Sequence, residues 1–419
     1  MKKKIKNIFS AVLAGTLLMI SGCGGNSENP DGSVLSTPIF EISDNEIVTA
    51  PETIPAEDVS STNPEAQTTA QTEAYAPSQT LPAMTATEAP QTERDRIGEL
   101  LSQMSLEEKI GQVILVRYSD NAAELSAKYH FGGYTLYAKD FQNETEESIK
   151  QKLSVISSAS LISPFIAADE EGGEVIRISR YSQFSDAPLS ALSAAAAGDV
   201  DAYASNMADI LEKAGVNLNL APVADVAESK TDYIYERTCQ LGYEETGQVI
   251  AKLVSVLNSR RVMSCLKHFP GYGSNVDTHT GIAVDDRSKT DFETKDFVPF
   301  RAGINAGVPM VMVNHNIVTA YNDKVPASLA PEIHSALRGL GFDGIIVTDD
   351  LGMQAILLYT DDPYADAFLA GNDLLCTSDG EACYNSLYKA VSDGRITENR
   401  LNESVYRILS TKLGYGIIN

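Results

Sequence analysis

The sequence predicts an α/β fold, a single (β/α)8 barrel of the TIM type over residues 93–419. Two observations lead there. After Glu93, short apolar runs alternate about eight times with amphipathic helical stretches, the pattern of a parallel sheet built from strand–helix units. Each run also ends in polar or charged residues, and in a barrel the functional groups gather at the C-terminal ends of the strands. Eight repeats favour a closed barrel over a doubly wound open sheet, which stays as the alternative. No GxGxxG fingerprint or P-loop opens a helix after a strand, and this weakens the nucleotide-binding form of that alternative.

Taken in order, Ile97–Ile110 has helical spacing, with Leu100, Leu101, Met104, Leu106 and Ile110 apolar. The predicted strands are Val113–Val116 before Arg117, Tyr134–Tyr137, Phe165–Ala168 before Asp169, and Leu218–Val223 before Asp225. They continue with Val262–Leu266 before Lys267 and His268, Met310–Val313 before Asn314 and His315, Ile345–Val347 before Thr348 and Asp349, and Leu374–Leu375 before Cys376. Glu144–Ala159, Tyr243–Arg260, Phe297–Ala306 and Pro331–Leu340 read as the intervening helices.

The N-terminus reads as a targeting segment, residues 1–22. Lys2, Lys3, Lys4 and Lys6 precede a short apolar stretch, Ile8–Ile20, too short for a comfortable membrane span. Ile20-Ser21-Gly22-Cys23 resembles a bacterial lipobox, which implies cleavage before Cys23 and lipidation of its thiol. A plain secretory signal with an incidental cysteine is the alternative. Residues 23–92 are dominated by Ser, Thr, Pro, Glu, Ala and Gln. Such a composition buries too little apolar surface to offset its ordering entropy, so a disordered stalk is expected. The protein is therefore expected outside the cytoplasm, anchored by lipid to the outer face of the bacterial cell membrane.

The chain carries 57 acidic and 32 basic residues, a formal net charge of −25, which argues against a nucleic-acid partner. Of five cysteines, none forms a CxxC pair or a metal spacing. Cys265 and Cys376 lie in apolar runs and read as small core residues. No disulfide, metal or cofactor is expected.

Two stretches carry the chemistry. Lys267 and His268 at the end of the fifth run lead into a loop with Pro270, Gly271 and Gly273 that closes on Asp277-Thr278-His279. An aspartate two residues from a histidine can accept its Nδ1 proton and hold the ring for acid/base work; the competing reading is an ordinary polar turn. At the seventh run, Gly344-Ile345-Ile346-Val347 delivers Thr348-Asp349-Asp350. A carboxylate on so apolar a strand is rigidly placed and can serve as a nucleophile at a sugar's anomeric carbon. The competing role for Asp349 is a helix cap, for which Asp350 is better placed ahead of Leu351–Leu358.

These residues carry a family resemblance. Lys267-His268-Phe269-Pro270-Gly271-x-Gly273 through Asp277-Thr278-His279 resembles the motif of the β-N-acetylglucosaminidase branch of glycoside hydrolase family 3. Asp169-Glu170-Glu171-Gly172-Gly173, Leu220 to Asp225, Pro299 to Gly303, Gly341 to Met353 and Gly394 to Leu409 match as well. The resemblance implies a barrel that removes terminal β-linked N-acetylglucosamine with retention. It implies Asp349 as the nucleophile, His279 as the acid/base and Asp277 as its orienting partner. It also implies that Asp169, Arg177, Arg237, Lys267 and His268 contact the sugar. Departures from the family pattern are Tyr272 for His, with an effect expected at the site entrance, Thr278 for Ser, and Glu174 for Arg.

Other polar positions have plainer expectations. His315 reads as a site residue or a hydrogen-bonded core residue, and Asp225 as a cap or a partner of Arg237. His130 is expected on the surface or at a helix end, and His334 on the surface. The leading reading is an exo-acting glycosidase on peptidoglycan fragments or related oligosaccharides. Its variants are phosphorolysis in place of hydrolysis, because a neutral histidine tolerates a phosphate acceptor, and a non-catalytic glycan-binding lipoprotein. Retention of Asp349, His279 and Asp277 together argues against the latter.

Overall fold

The computed structural model describes residues 91–275 and 283–418. Ten strands are found there: β1 Ile114–Arg117, β2 Gly133–Leu136, β3 Phe165–Ala168, β4 Leu218–Asn219, β5 Met263–Phe269, β6 Val284–Asp285, β7 Met310–Val313, β8 Ile317–Val318, β9 Ile345–Thr348 and β10 Leu375–Thr377. Eight form one sheet in the order β10-β1-β2-β3-β4-β5-β7-β9, and every pairing in it is parallel. The two ends meet at a parallel bridge between Val347 and Leu374. Thr348 N donates to Leu374 O at 3.2 Å and Cys376 N to Thr348 Oγ1 at 3.0 Å. The sheet is therefore a barrel, and the open-sheet alternative falls.

The strands are short and buried on both faces, as a barrel wrapped by helices requires. Ile114, Leu115, Phe165, Ala167, Met263, Met310, Ile345 and Val347 are all fully buried. The helices between them follow the periodicity closely, at Glu146–Ala159, Tyr243–Ser259, Phe297–Asn305 and Pro331–Gly339. Their starts are set locally. Thr145, for example, accepts from Ser148 N and so caps the first of them.

Several expectations need correction. The single helix over Ile97–Ile110 is two, Gln91–Gln103 and Leu106–Gln112. Ser105 interrupts them because it forms a capping box with Glu108, which starts a new helix rather than continuing the old one. The fourth strand stops at Asn219; Pro222 has no N–H to give a ladder, and Val223 rejoins the sheet through one bridge to Lys267. The fifth strand runs past Leu266 through Phe269 and is buried along its whole length. Its register with β7 is irregular between Leu266 and Phe269, and such irregularities re-aim side chains beside functional sites. The β6–β8 pair, formed by segments that follow β5 and β7, was not predicted; two-residue strands leave no periodicity to read.

Candidate active site

The mouth of the barrel is built from the segments that follow β3, β4, β5 and β9. After β3, Glu170 is buried and its carboxylate accepts the backbone N–H groups of Arg177 and Ile178 at 2.8 Å and of Ser179 at 3.2 Å. The Ser179 hydroxyl bonds it too. Asn219, at the end of β4, accepts from Glu170 N and donates to Glu170 O, both at 3.0 Å. Gly172 is obligatory here: its φ is +90°, and a Cβ would stand 2.1 Å from Ser190 O. Glu170 thus serves the loop's own backbone and leaves Asp169 and Glu171 to face other elements.

Glu171 is the centre of a buried charge network. Its Oε1 meets Lys267 Nζ at 2.6 Å, and Arg237 clamps it with Nε to Oε2 at 2.8 Å and a terminal nitrogen to Oε1 at 2.9 Å. Burial alone would raise this carboxyl, but Lys267 and Arg237 outweigh it and hold it down at about 2. Lys267 also reaches Asp169 Oδ1 at 2.7 Å. Burial works against its charge, yet Asp169 and Glu171 keep its pKa above the usual lysine range. Arg177 lies 3.9 Å from Asp169 Oδ2.

His268 is tied into the same network. Its Nδ1 lies 2.7 Å from Asp225 Oδ2 and its Nε2 3.3 Å from Arg237. A carboxylate beside Nδ1 places the proton there, so Nε2 accepts from Arg237. Asp225 is 1% exposed and also accepts from His268 N and Tyr272 N at 3.0 and 2.7 Å. Asp225 therefore partners His268 and not Arg237. Arg237 is taken by Glu171, whose two oxygens match the guanidinium fork.

Asp349 directly follows β9 and is half-buried. Its N–H donates to Val313 O at 3.1 Å, and its Oδ1 accepts from Asp350 N at 2.8 Å. In an eight-stranded ring of this order, β3 and β9 stand four strands apart in either direction, so the segments carrying Asp169 and Asp349 lie on opposite sides of the mouth. Cys376, in the middle of β10, senses both: burial pushes its thiol up first, then Asp350, Asp349 and Asp169 add to it. Tyr137 forms the adjoining wall, with Arg117 4.4 Å and Arg177 5.6 Å from its ring centroid. Burial, then Cys376, Asp169 and Asp350, raise its phenol above the usual range.

The structure thus joins Asp169, Arg177, Arg237, Lys267 and His268 in one network, with Asp349 on the opposite rim. Asp277, Thr278 and His279 lie outside the described residues, as does Cys23. His315 is a buried residue that holds the rim: Nδ1 accepts from Ser328 Oγ at 2.7 Å and Nε2 donates to Asp350 O at 3.1 Å. Asp350 does not cap the next helix, which begins only at Gln354; its Oδ1 accepts from Gly352 N at 2.8 Å and closes a turn first. Tyr272 is 3% exposed, packed edge-on against His268. Glu174 is exposed. Cys376, the middle residue of β10, is half-buried and packs against the core. His130 caps a helix, as expected. His334 is buried instead of exposed, with Nδ1 2.9 Å from Ala330 O, since Ile333, His334 and Leu337 share the inward face of their helix.

Glu171, Tyr137 and Arg117 were not singled out from the sequence. A pair of acids directly behind Asp169 was the available signal for Glu171. Chemically, the mouth offers fixed cationic donors and carboxylate acceptors in near balance, which suits a neutral ligand rich in hydroxyls. A further carboxylate, Asp349, stands at the tip of the strand across the ring.

Residues 105–411 match the model of the glycosyl hydrolase family 3 N-terminal domain. The chain is similar to β-hexosaminidase A of Pseudoalteromonas piscicida, 30% identical over 332 residues, which are 70% of this chain and 55% of that protein. It is 34% identical over 237 residues to a β-hexosaminidase of Xanthomonas campestris pv. campestris, covering 53% of this chain and 69% of the relative. Among solved structures it resembles a glycoside hydrolase family 3 β-N-acetylglucosaminidase from Paenibacillus, with a TM-score of 0.68, 27% identity, and coverage of 75% of this chain and 63% of that one. The chain therefore spans just over half the length of the Pseudoalteromonas protein and under two thirds of the Paenibacillus chain. With the parallel barrel and the network at its mouth, the match over residues 105–411 establishes that the chain belongs to glycosyl hydrolase family 3.

Proposed function

We propose that the protein is a retaining exo-β-N-acetylglucosaminidase acting on terminal, non-reducing β-linked N-acetylglucosamine. The observation that carries this reading is Asp349 at the β9 tip, on the side of the barrel mouth opposite the strand that leads into the Asp169–Lys267–Glu171–Arg237 network. The names of the relatives support the acetamido sugar. In the proposed cycle, Asp169, Arg177, Arg237, Lys267 and His268 hold the sugar's hydroxyls and fix the anomeric carbon before Asp349. The Asp349 carboxylate attacks that carbon and the bond to the leaving oxygen breaks. His279, oriented by Asp277, donates the proton to that oxygen. It then takes a proton from water, which attacks the same carbon and releases Asp349.

The proposed setting is extracellular. Cys23 carries a lipid that tethers the catalytic barrel to the outer face of the cell membrane, and peptidoglycan fragments are the substrate within reach. Cys23→Ala would then move the protein from the membrane to the soluble fraction. Unchanged membrane association would refute the anchor. The activity itself is tested by release of 4-nitrophenol from its β-N-acetylglucosaminide and β-glucoside in parallel. Turnover confined to the first supports the reading, and turnover of the second alone overturns it.

A further inference from the structure

The same end of the barrel carries a cavity beside the charge network. It has a volume of about 440 Å³ and lies between the segments that follow β10, β1 and β2, a size in the range of small-ligand sites. Its walls include Arg117 at the end of β1, Tyr118 and Asp120 just after it, Lys139 after β2, and Ser378 after β10.

The cavity adjoins the site at two points. Arg117 lies 4.4 Å from the Tyr137 ring centroid and Arg177 lies 5.6 Å from the same ring, while Arg177 is 3.9 Å from Asp169 Oδ2. One ring thus touches both the cavity wall and the network. At the second point, a Cβ on Gly352 would stand 3.0 Å from Ser378 Oγ and 3.1 Å from Asp350 Oδ1, so the turn that follows Asp349 packs against the β10 wall. The two flanks of β9 also differ. On the β7 flank, Asn314, His315 and Ser328 are 0%, 1% and 0% exposed, and His315 is bonded to Asp350 O, so that flank is filled. On the other flank β10 is joined to β9 through Val347 and Leu374, and there the cavity follows.

We propose that this cavity is the subsite for the leaving group, and that the leaving group it takes is a second pyranose ring. This rests on the reading of Asp349 as the residue at the anomeric carbon. With the sugar held from the Asp169 side and its anomeric carbon at Asp349, the scissile bond lies at the β9 end of the sugar, next to the cavity. The lining suits hydroxyls of both donor and acceptor character. Arg117 and Lys139 are exposed donors, Asp120 is an exposed acceptor, and Ser378 can act as either. The other lining acids serve their own elements: Asp140 accepts from Tyr137 N at 2.8 Å, Asp379 from Ala382 N at 2.9 Å, and Glu381 lies 3.7 Å from Lys128.

The test compares kcat/KM for cleavage of two substrates, the β-1,4-linked N-acetylglucosamine disaccharide and methyl β-N-acetylglucosaminide, followed by chromatography. Both have an alkyl-type leaving oxygen, and only the first places a ring in the cavity. The wild type is expected to prefer the disaccharide by at least about tenfold, because polar groups that bond a ligand's hydroxyls discriminate against a ligand that lacks them. Lys139→Ala removes a donor and Ser119→Trp fills the cavity with bulk. In each the preference is expected to fall by about tenfold, with a higher KM for the disaccharide. Both variants are checked by thermal unfolding. Lys139 is exposed, and its replacement carries the test if Ser119→Trp does not fold. Equal kcat/KM on the two substrates by the wild type, or a preference unmoved in the folded variants, overturns the subsite and leaves the glycosidase reading standing. Turnover of neither substrate by folded wild type refutes that reading and the subsite with it.

Discussion

Replacing Glu171 by Gln keeps the shape of the side chain and removes the charge on which Lys267 and Arg237 converge. Glu171 makes a 2.6 Å ion pair with one and a two-point clamp with the other, and its side chain is 3% exposed. Its carboxyl titrates at about 2 in the folded protein against an ordinary 4.5, a gap worth about 3 kcal/mol. Removing one partner of a buried pair costs a similar amount, about 3–5 kcal/mol, because the remaining charges stay buried. The sign with pH follows from the lowered pKa. The carboxylate's contribution is complete above 4.5, where the unfolded chain is also ionised, and is lost as pH falls through about 2. Urea unfolding of wild type and Glu171→Gln, followed by circular dichroism from pH 7 to pH 2, tests this. The wild type is expected to be more stable by about 3 kcal/mol at pH 7, with the difference narrowing below pH 4.5. A difference that stays constant across that range, or one below about 0.5 kcal/mol at pH 7, would refute the claim that ion pairing to Glu171 holds the site together.

Two other perturbations probe separate parts of the barrel. Lys412 is fully buried, donates to Gln112 Oε1 at 2.8 Å and lies 4.8 Å from the Phe165 ring centroid. Burial lowers its pKa from 10.5 to about 7, so its cost to stability is absent above 10.5, grows as pH falls and is complete below about 7. The Tm of Lys412→Met relative to wild type is therefore expected to rise between pH 10 and pH 6; a pH-independent difference contradicts it. His315→Phe removes the bond to Asp350 O and the acceptor for Ser328 Oγ. It is expected to lower kcat about tenfold with less effect on KM, because the rim carrying Asp349 loses its brace. A change confined to KM would contradict this in steady-state kinetics.

The barrel was legible because its strands are continuous apolar runs ending in polar residues. Phe165 to Asp169 and Ile345 to Asp349 each announce a buried strand and the residue it delivers. The resemblance of Lys267 to His279 to a known motif supplied roles for the polar tips. What stayed hidden depends on contacts distant in sequence. Nothing local tells that Glu170 serves backbone N–H groups while Glu171 binds Lys267 and Arg237, since the two acids are adjacent and chemically alike. Asp225 paired with His268 rather than Arg237 for the same reason: the choice is made by where β5 sets its side chains. His334 has the spacing of an exposed polar residue, yet it shares an inward face with Ile333 and Leu337. Asp285, Arg287 and Asp296 look like surface charges in the sequence, yet both carboxylates are buried and share the Arg287 guanidinium.

In the proposed cycle Asp349 attacks the sugar. The most direct measurement is 4-nitrophenol release from the β-N-acetylglucosaminide by folded wild type and folded Asp349→Asn under the same conditions. Turnover by the wild type is expected, with a loss of at least about a thousandfold in kcat in the variant, since an amide cannot form the covalent intermediate. Activity in Asp349→Asn within about tenfold of wild type would place the nucleophile elsewhere and rule out attack by Asp349.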